Sequence, residues 1–167
     1  MNDKSLILTH EQIIQKTRRI AFEIYEHNFL EKELILVGIH DEGYNFAEML
    51  KAELTEIAPF STKIVGLKLD KEAPTQSEIS LECTDAELKN KAIILIDDVS
   101  NTGKTMAYSL KPFLTIKVKK IETAVLVNRS HTQFPIAVKY SGFELATTIK
   151  DHVTAQLEGE NKAVYLI

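Results

Sequence analysis

The chain holds a single cysteine, Cys83, and no tryptophan among its 167 residues. One thiol cannot close an intrachain disulfide, and it cannot build a cysteine-rich zinc site. Six glycines and four prolines leave no Gly- or Pro-rich linker and no low-complexity tract. No apolar run approaches the ~20 residues needed to cross a bilayer. The run at residues 6–8 is too short for the core of a signal peptide. The expectation is a cytoplasmic protein with no membrane partner. Neither sign of charge dominates: 20 Lys and Arg stand against 24 Asp and Glu, a net of −4. A strongly basic nucleic-acid binder is excluded on that balance, although a local basic face is compatible with it.

What is present fits one globular domain over residues 1–167. A chain of this size buries roughly 70% of the surface it exposes when unfolded, so it needs no disulfide or structural metal. Thr9 and Gln12 form a capping-box pattern, and Ile13, Ile14, Ile20, Ala21 and Ile24 follow at helical spacing. They predict a helix over 11–28. Residues 34–39 read as a buried strand. Phe46, Ala47, Leu50, Leu54 and Ile57 predict a second helix, ending before Pro59. Residues 63–69 read as a strand. Residues 70–91 are polar, contain Pro74 and have little periodicity, as a lid, binding loop or small hairpin would. Residues 92–96 form the clearest buried strand. A helix is predicted over 102–113, a strand over 121–127, and short strands over 136–140, 143–145 and 163–167. Apolar strands alternating with amphipathic helices predict an α/β fold with a mainly parallel central sheet. Ligands of such sheets bind at the carboxyl ends of the strands.

The chemistry concentrates in one such end. Residues 93–96 are Ile-Ile-Leu-Ile, followed by Asp97, Asp98, Val99, Ser100, Asn101, Thr102, Gly103, Lys104 and Thr105. A strand ends in two carboxylates, a loop of small and hydroxyl residues follows, and a helix begins. Free N–H groups at a helix start suit phosphate. Gly103 lets backbone approach a ligand closely. The two acids repel phosphate but suit hydroxyls or a hydrated divalent cation. A ligand with a phosphate at one end and a diol nearby satisfies both. Two other readings stay open. Two acids after a strand also arise as a plain turn and helix cap. Gly103-Lys104-Thr105 matches the end of the P-loop pattern, but its first glycine would fall at position 98, which is Asp98.

The segment resembles the phosphoribosyl pyrophosphate (PRPP) motif of type I phosphoribosyltransferases. The resemblance runs the length of the chain. Residues 19–24, 124–136, 140–142 and 163–166 are similar to the PyrR family, pyrimidine operon regulators that are also uracil phosphoribosyltransferases. It implies a type I phosphoribosyltransferase-like fold, with a small hood built from about residues 128–167 and the N-terminus. It implies that Asp97 and Asp98 are the catalytic acids and bind ribose. It also implies that Asp97 through Thr105, Val99 included, bind PRPP, with residues 100–105 on the 5′-phosphate, that His40, Asp41, Glu42 and Gly43 form the pyrophosphate loop, and that Arg129 and Tyr140 line a base pocket. The implied partners are PRPP and a nucleobase or its nucleotide, with Mg²⁺ as cofactor and a homo-oligomeric assembly. No metal-binding residues are assigned.

The sequence departs from the family at several places. Glu42 stands where a basic residue usually precedes the glycine. A carboxylate about 4 Å from one phosphate charge costs roughly 4 kcal/mol at an effective dielectric of 20. The flexible loop carries Asp70-Lys71-Glu72 in place of Arg-Asp-Asp, so Lys71 is the candidate for the missing loop cation. Asn101 replaces the acid that purine-salvage relatives place there. Phe22 and Thr132 replace a His and an Arg of the regulators, which disfavours RNA as a partner. The expected reaction is transfer of ribose 5-phosphate to a nucleobase, uracil first. The alternative is a non-catalytic sensor of PRPP or nucleotide that regulates pyrimidine genes through RNA. Lys117, Lys119 and Lys120 read as a solvated edge, His131 as a loop residue, and Cys83 has no visible activating partner.

Overall fold

A computed structural model describes residues 3–148 and 150–167. The elements run β1 (Ser5–Leu8), α1 (His10–Asn28), β2 (Glu33–Ile39), α2 (Glu42–Ile57), β3 (Ser61–Lys68), β4 (Ser80–Leu81), α3 (Asp85–Leu88), β5 (Ala92–Ser100) and α4 (Lys104–Ser109). A 3-10 helix (Lys111–Thr115) follows, then β6 (Lys120–Asn128), β7 (Tyr140–Glu144), β8 (Val153–Gln156) and β9 (Ala163–Leu166). Six strands form the central sheet in the order β4-β3-β2-β5-β6-β7. All of its neighbours pair in parallel except β4 on β3. A second, antiparallel sheet in the order β1-β9-β8 joins the two ends of the chain.

The sheet separates two apolar clusters, and strand alternation sorts side chains between them. Leu34 and Leu36 of β2, with Ile94 and Ile96 of β5, face the helices α1 and α2 through Ile20, Ile24, Phe46, Leu50 and Leu54. Ile35, Val37 and Ile39, with Ile93 and Leu95, face Leu88, Met106 and Phe113 on the other side. These strands are buried on both faces, which is why they read as unbroken apolar runs. The capping box at Thr9 and Gln12 is formed in both directions.

Four boundaries differ from the sequence expectation. Strand β5 continues through the acids to Ser100, because Asp97 and Val99 stay in parallel register with Val125 and Val127 of β6. The helix expected over 102–113 is two pieces. Pro112 sits in the first turn of the 3-10 helix, since it has no N–H to continue an α-helix. The strand expected over 136–140 is an extended segment whose Ile136 and Val138 pack on the second cluster. The paired residues are instead Tyr140–Glu144. Strands β1 and β8 were not expected, because each is only four residues long and Val-Thr-Ala-Gln carries little apolar signal.

Candidate functional site

The acid pair lies at the carboxyl end of the most central strand. Asp97 is 2% exposed. Its Oδ1 accepts from the backbone N–H of Asp98 at 2.9 Å. The first turn of α2 presses directly on it. A Cβ at Gly43 would lie 2.8 Å from Asp97 Oδ1 and 2.9 Å from both Asp97 Cα and Ile96 O. Only glycine permits this approach, and it brings two segments 54 residues apart in sequence into contact. Burial pushes the Asp97 carboxyl well above the ordinary carboxylate range, and the neighbouring Asp98 charge pushes it further.

Beyond the acids the chain turns through residues 100–105 around a recess of about 70 Å³ lined by Asp97, Ser100, Thr102, Gly103, Lys104 and Thr105, among others. Gly103 has φ 84°, a backbone that L-residues rarely adopt. It reverses the chain so that the first residues of α4, whose N–H groups have no intrahelical acceptor, line the recess. Thr102 Oγ1 accepts from Lys104 N at 3.2 Å, and Thr102 O accepts from Gln133 N and Phe134 N. The turn is therefore tied to the segment after β6. Helix α4 has only six residues, so converging N–H donors, rather than a long helix dipole, are what the recess offers an anion.

The segment expected as a pyrophosphate loop is shorter than expected. His40 and Asp41 connect β2 to α2, and Glu42 and Gly43 already belong to the first turn of α2. The peptide bond between His40 and Asp41 is cis. The His40 ring stacks on Tyr44, with centroids 4.6 Å apart. Its Nε2 lies 3.3 Å from Glu82 Oε1 without hydrogen-bond geometry. Glu42 turns toward the second sheet: its Oε2 accepts from the backbone N–H of Leu157 at 2.8 Å. That tie spans 115 residues, and no sequence signal marks it.

Lys71 approaches from the opposite side. Its Nζ donates to Asp97 Oδ1 at 3.0 Å and lies 3.7 Å from Asp98 Oδ1. Burial alone would lower the pKa of this ammonium. The carboxylates of Asp97 and Asp98 outweigh that, so it stands above the ordinary lysine value. The loop that carries Lys71 is shaped locally. Asp70 Oδ1 accepts from Glu72 N and Ala73 N, and Asp70 N donates to Ser77 Oγ.

The two residues expected at a base pocket are placed differently. Arg129 follows β6 beside the site, and its N–H donates to Ser100 O. Its guanidinium is buried and donates four hydrogen bonds, two to Thr147 Oγ1 and one each to Thr148 O and Asp151 O. It clamps Thr147, Thr148 and Asp151. Tyr140 begins β7, where it pairs with Ala124 of β6, which in turn pairs with Ile96 just before the acids. It is 1% exposed, and its hydroxyl donates to the buried Glu122 at 3.0 Å. Burial, then the Glu122 charge, holds this phenol above its ordinary pKa. The structure does not bring the Tyr140 side chain to the acid pair, because it is buried against Asn28 of α1 and Glu122 of β6, with its hydroxyl bonded to both.

Comparison with known proteins follows from this geometry. Residues 4–158 match the phosphoribosyl transferase domain. The chain is 30% identical over 165 residues to the Bifunctional protein PyrR of Haemophilus ducreyi, covering 93% of this chain and 90% of that one. It is 33% identical over 161 residues to the protein of the same name from Deinococcus deserti, covering 92% and 88%. Its fold is similar to a hypoxanthine-guanine phosphoribosyltransferase from Bacillus anthracis, with a TM-score of 0.70, 17% identity, and 84% and 82% of the two chains covered.

Proposed function

The chain belongs to the phosphoribosyl transferase domain family of pentosyltransferase enzymes, and from that premise we propose that it transfers ribose 5-phosphate from PRPP to uracil, releasing pyrophosphate. The observation that carries the proposal is the juxtaposition of the acid pair, with Asp97 buried, and a small recess lined by the turn at Gly103 and the start of α4, at one strand end. In this reading residues 100–105 seat the 5′-phosphate. Asp97 and Asp98 accept hydrogen bonds from the ribose hydroxyls and orient the sugar. The bond from the anomeric carbon to pyrophosphate breaks as the bond to the base nitrogen forms. Positive charge develops on the sugar, as in other glycosyl transfers, and the carboxylates beneath it oppose no part of that change. Fixing the diol and the phosphate in one geometry is the main catalytic device.

The donor set fits a divalent cation shared with the substrate. Two carboxylates face one ammonium, Lys71, which stands where a small cation would. Among the described residues no cluster of three or more ligating side chains forms a dedicated metal cage. Mg²⁺ is commonly held by one or two carboxylates and substrate phosphates; bound there, it would neutralise the departing pyrophosphate. Uracil is preferred because the resemblance to the PyrR family runs through the whole chain, and because Asn101 offers no carboxylate toward a purine ring. Phe22 and Thr132 offer no charge to RNA, so the proposal is confined to the transfer reaction. Among the described residues no helix is long and apolar enough to cross a membrane.

The test is pyrophosphate release from PRPP and Mg²⁺, with uracil, cytosine, hypoxanthine, guanine, adenine and orotate offered singly. Release with uracil alone is expected. Release with a purine alone refutes the base assignment, and release with none refutes the transfer reading.

A further inference from the structure

We infer that Lys71 is a built-in cation for the acid pair, and that a divalent ion enters the site only by exchanging with it. The inference rests on the transfer reading for its purpose, but its geometry is independent of any base.

Three carboxylates converge on this end of the sheet. Asp97 is almost wholly buried, Asp98 has a side chain 15% exposed, and the charge of Asp41 also acts on Lys71. Glu42 is turned away and occupied by Leu157 N. Two buried or half-buried anions side by side are costly without a counter-charge. Lys71 supplies it, and its Nζ contacts both acids while the rest of its side chain remains partly exposed. An ammonium with three donors and a hydrated divalent cation use the same carboxylate lone pairs. They cannot both hold Asp97 Oδ1.

The consequence reaches the loop. Residues 70–77 are fixed by their own hydrogen bonds around Asp70, so Lys71 moves as part of a preformed turn rather than as a lone side chain. When a cation takes the acids, Lys71 and its turn are released from them. One residue therefore guards the acids in the free protein and becomes a free cation once the metal is seated. It is a positioning residue for the ion.

Mn²⁺ is the probe, titrated into the protein without PRPP and read by its electron paramagnetic resonance signal. The proteins are wild type, Lys71→Met and Lys68→Met. Lys68 carries the same charge nearby but pairs with Glu82, so its variant controls for a general change of field. Removing a charge-assisted bond to a buried carboxylate should tighten Mn²⁺ binding by about tenfold in Lys71→Met, and Lys68→Met should match wild type. Cleavage after Glu72 or Glu78 by a Glu-specific protease is the second readout. It should be fast in Lys71→Met without metal, and fast in wild type only after Mn²⁺ is added. Equal Mn²⁺ affinity in wild type and Lys71→Met overturns the exchange, as does equal tightening in both variants or a cleavage rate that ignores Mn²⁺. Pyrophosphate release by wild type is measured separately. Its absence alongside tightened Mn²⁺ binding would defeat the transfer reading and leave the exchange standing.

Discussion

Replacing Gly103 with valine separates the phosphate recess from the stability of the fold. The residue sits at φ 84°, where an L-residue costs roughly 1–2 kcal/mol. Its new Cβ would lie 3.3 Å from Ile136 Cβ and 3.4 Å from Phe134 O. Both are tight, and one is backbone, so the branched side chain adds about 1 kcal/mol of overpacking. The sum, roughly 3 kcal/mol, is less than the ~5–15 kcal/mol that holds a typical domain. The variant should therefore fold, with its melting temperature lowered by about 6–12 °C. The chain relieves the strain by rotating residues 102–104, and the N–H groups around the recess then no longer converge. A misplacement of about 1 Å costs on the order of 100-fold, so PRPP affinity measured by titration calorimetry should fall at least that much. Gly103→Ala should fall between the two proteins in both measurements. A folded Gly103→Val that shows the lowered melting temperature yet binds PRPP within about threefold of wild type would place the phosphate somewhere else.

Asp97→Asn should abolish PRPP binding without lowering stability at neutral pH. The Asp97 carboxyl is raised above its unfolded value, so its favourable contribution to folding is complete below about pH 4 and is lost as pH rises through the folded value. The melting temperature of the variant relative to wild type should climb with pH, and a variant that loses ground as pH rises would reverse that sign. Glu42→Gln keeps an acceptor for Leu157 N and removes a charge, so PRPP should bind more tightly with the fold intact. Glu42→Arg loses that bond and should cost about 1–2 kcal/mol in urea denaturation. Arg129→Met removes four hydrogen bonds from Thr147, Thr148 and Asp151 and should cost about 2 kcal/mol, with hydrogen exchange accelerated at Thr148 and Asp151. Unchanged exchange there would refute the clamp.

The sequence revealed most where one signal dominated. Continuous apolar runs at residues 34–39 and 92–96 named the two central strands, because burial on both faces leaves no polar residue to confuse the reading. The acid pair, the glycine turn and the start of α4 were legible because each is written in consecutive residues. Boundaries failed where a partner strand decided them. Asp97 and Asp98 are poor strand formers, yet β6 supplies the ladder that keeps them extended. Tyr140 looked like a base platform from its aromatic face alone, and only the fold shows its hydroxyl tied to the buried Glu122. Lys71 was singled out as a loop cation, but its contact with both acids depends on a turn shaped by Asp70 and Ser77. The Glu42–Leu157 bond joins residues 115 apart, beyond the reach of any local pattern.

That bond changes what Glu42 means. Read in sequence, it is an acid where a base should meet pyrophosphate. In the fold, its carboxylate ties the first turn of α2 to the segment that follows β8, and Arg129 ties the end of β6 to the segment that follows β7. The ties flank the site on both sides: Glu42 adjoins Gly43, which abuts Asp97, and Arg129 N donates to Ser100 O at the edge of the recess. A shift of Leu157 or of Thr147 and Asp151 must therefore pull on the helix turn over the acids or on the strand end beneath the turn at Gly103. Rigid packing transmits such displacements rather than absorbing them. The acid at position 42 thus gives up electrostatic attraction for pyrophosphate and gains mechanical coupling between the C-terminal strands and the acid pair, which is why Glu42→Gln and Glu42→Arg should part company.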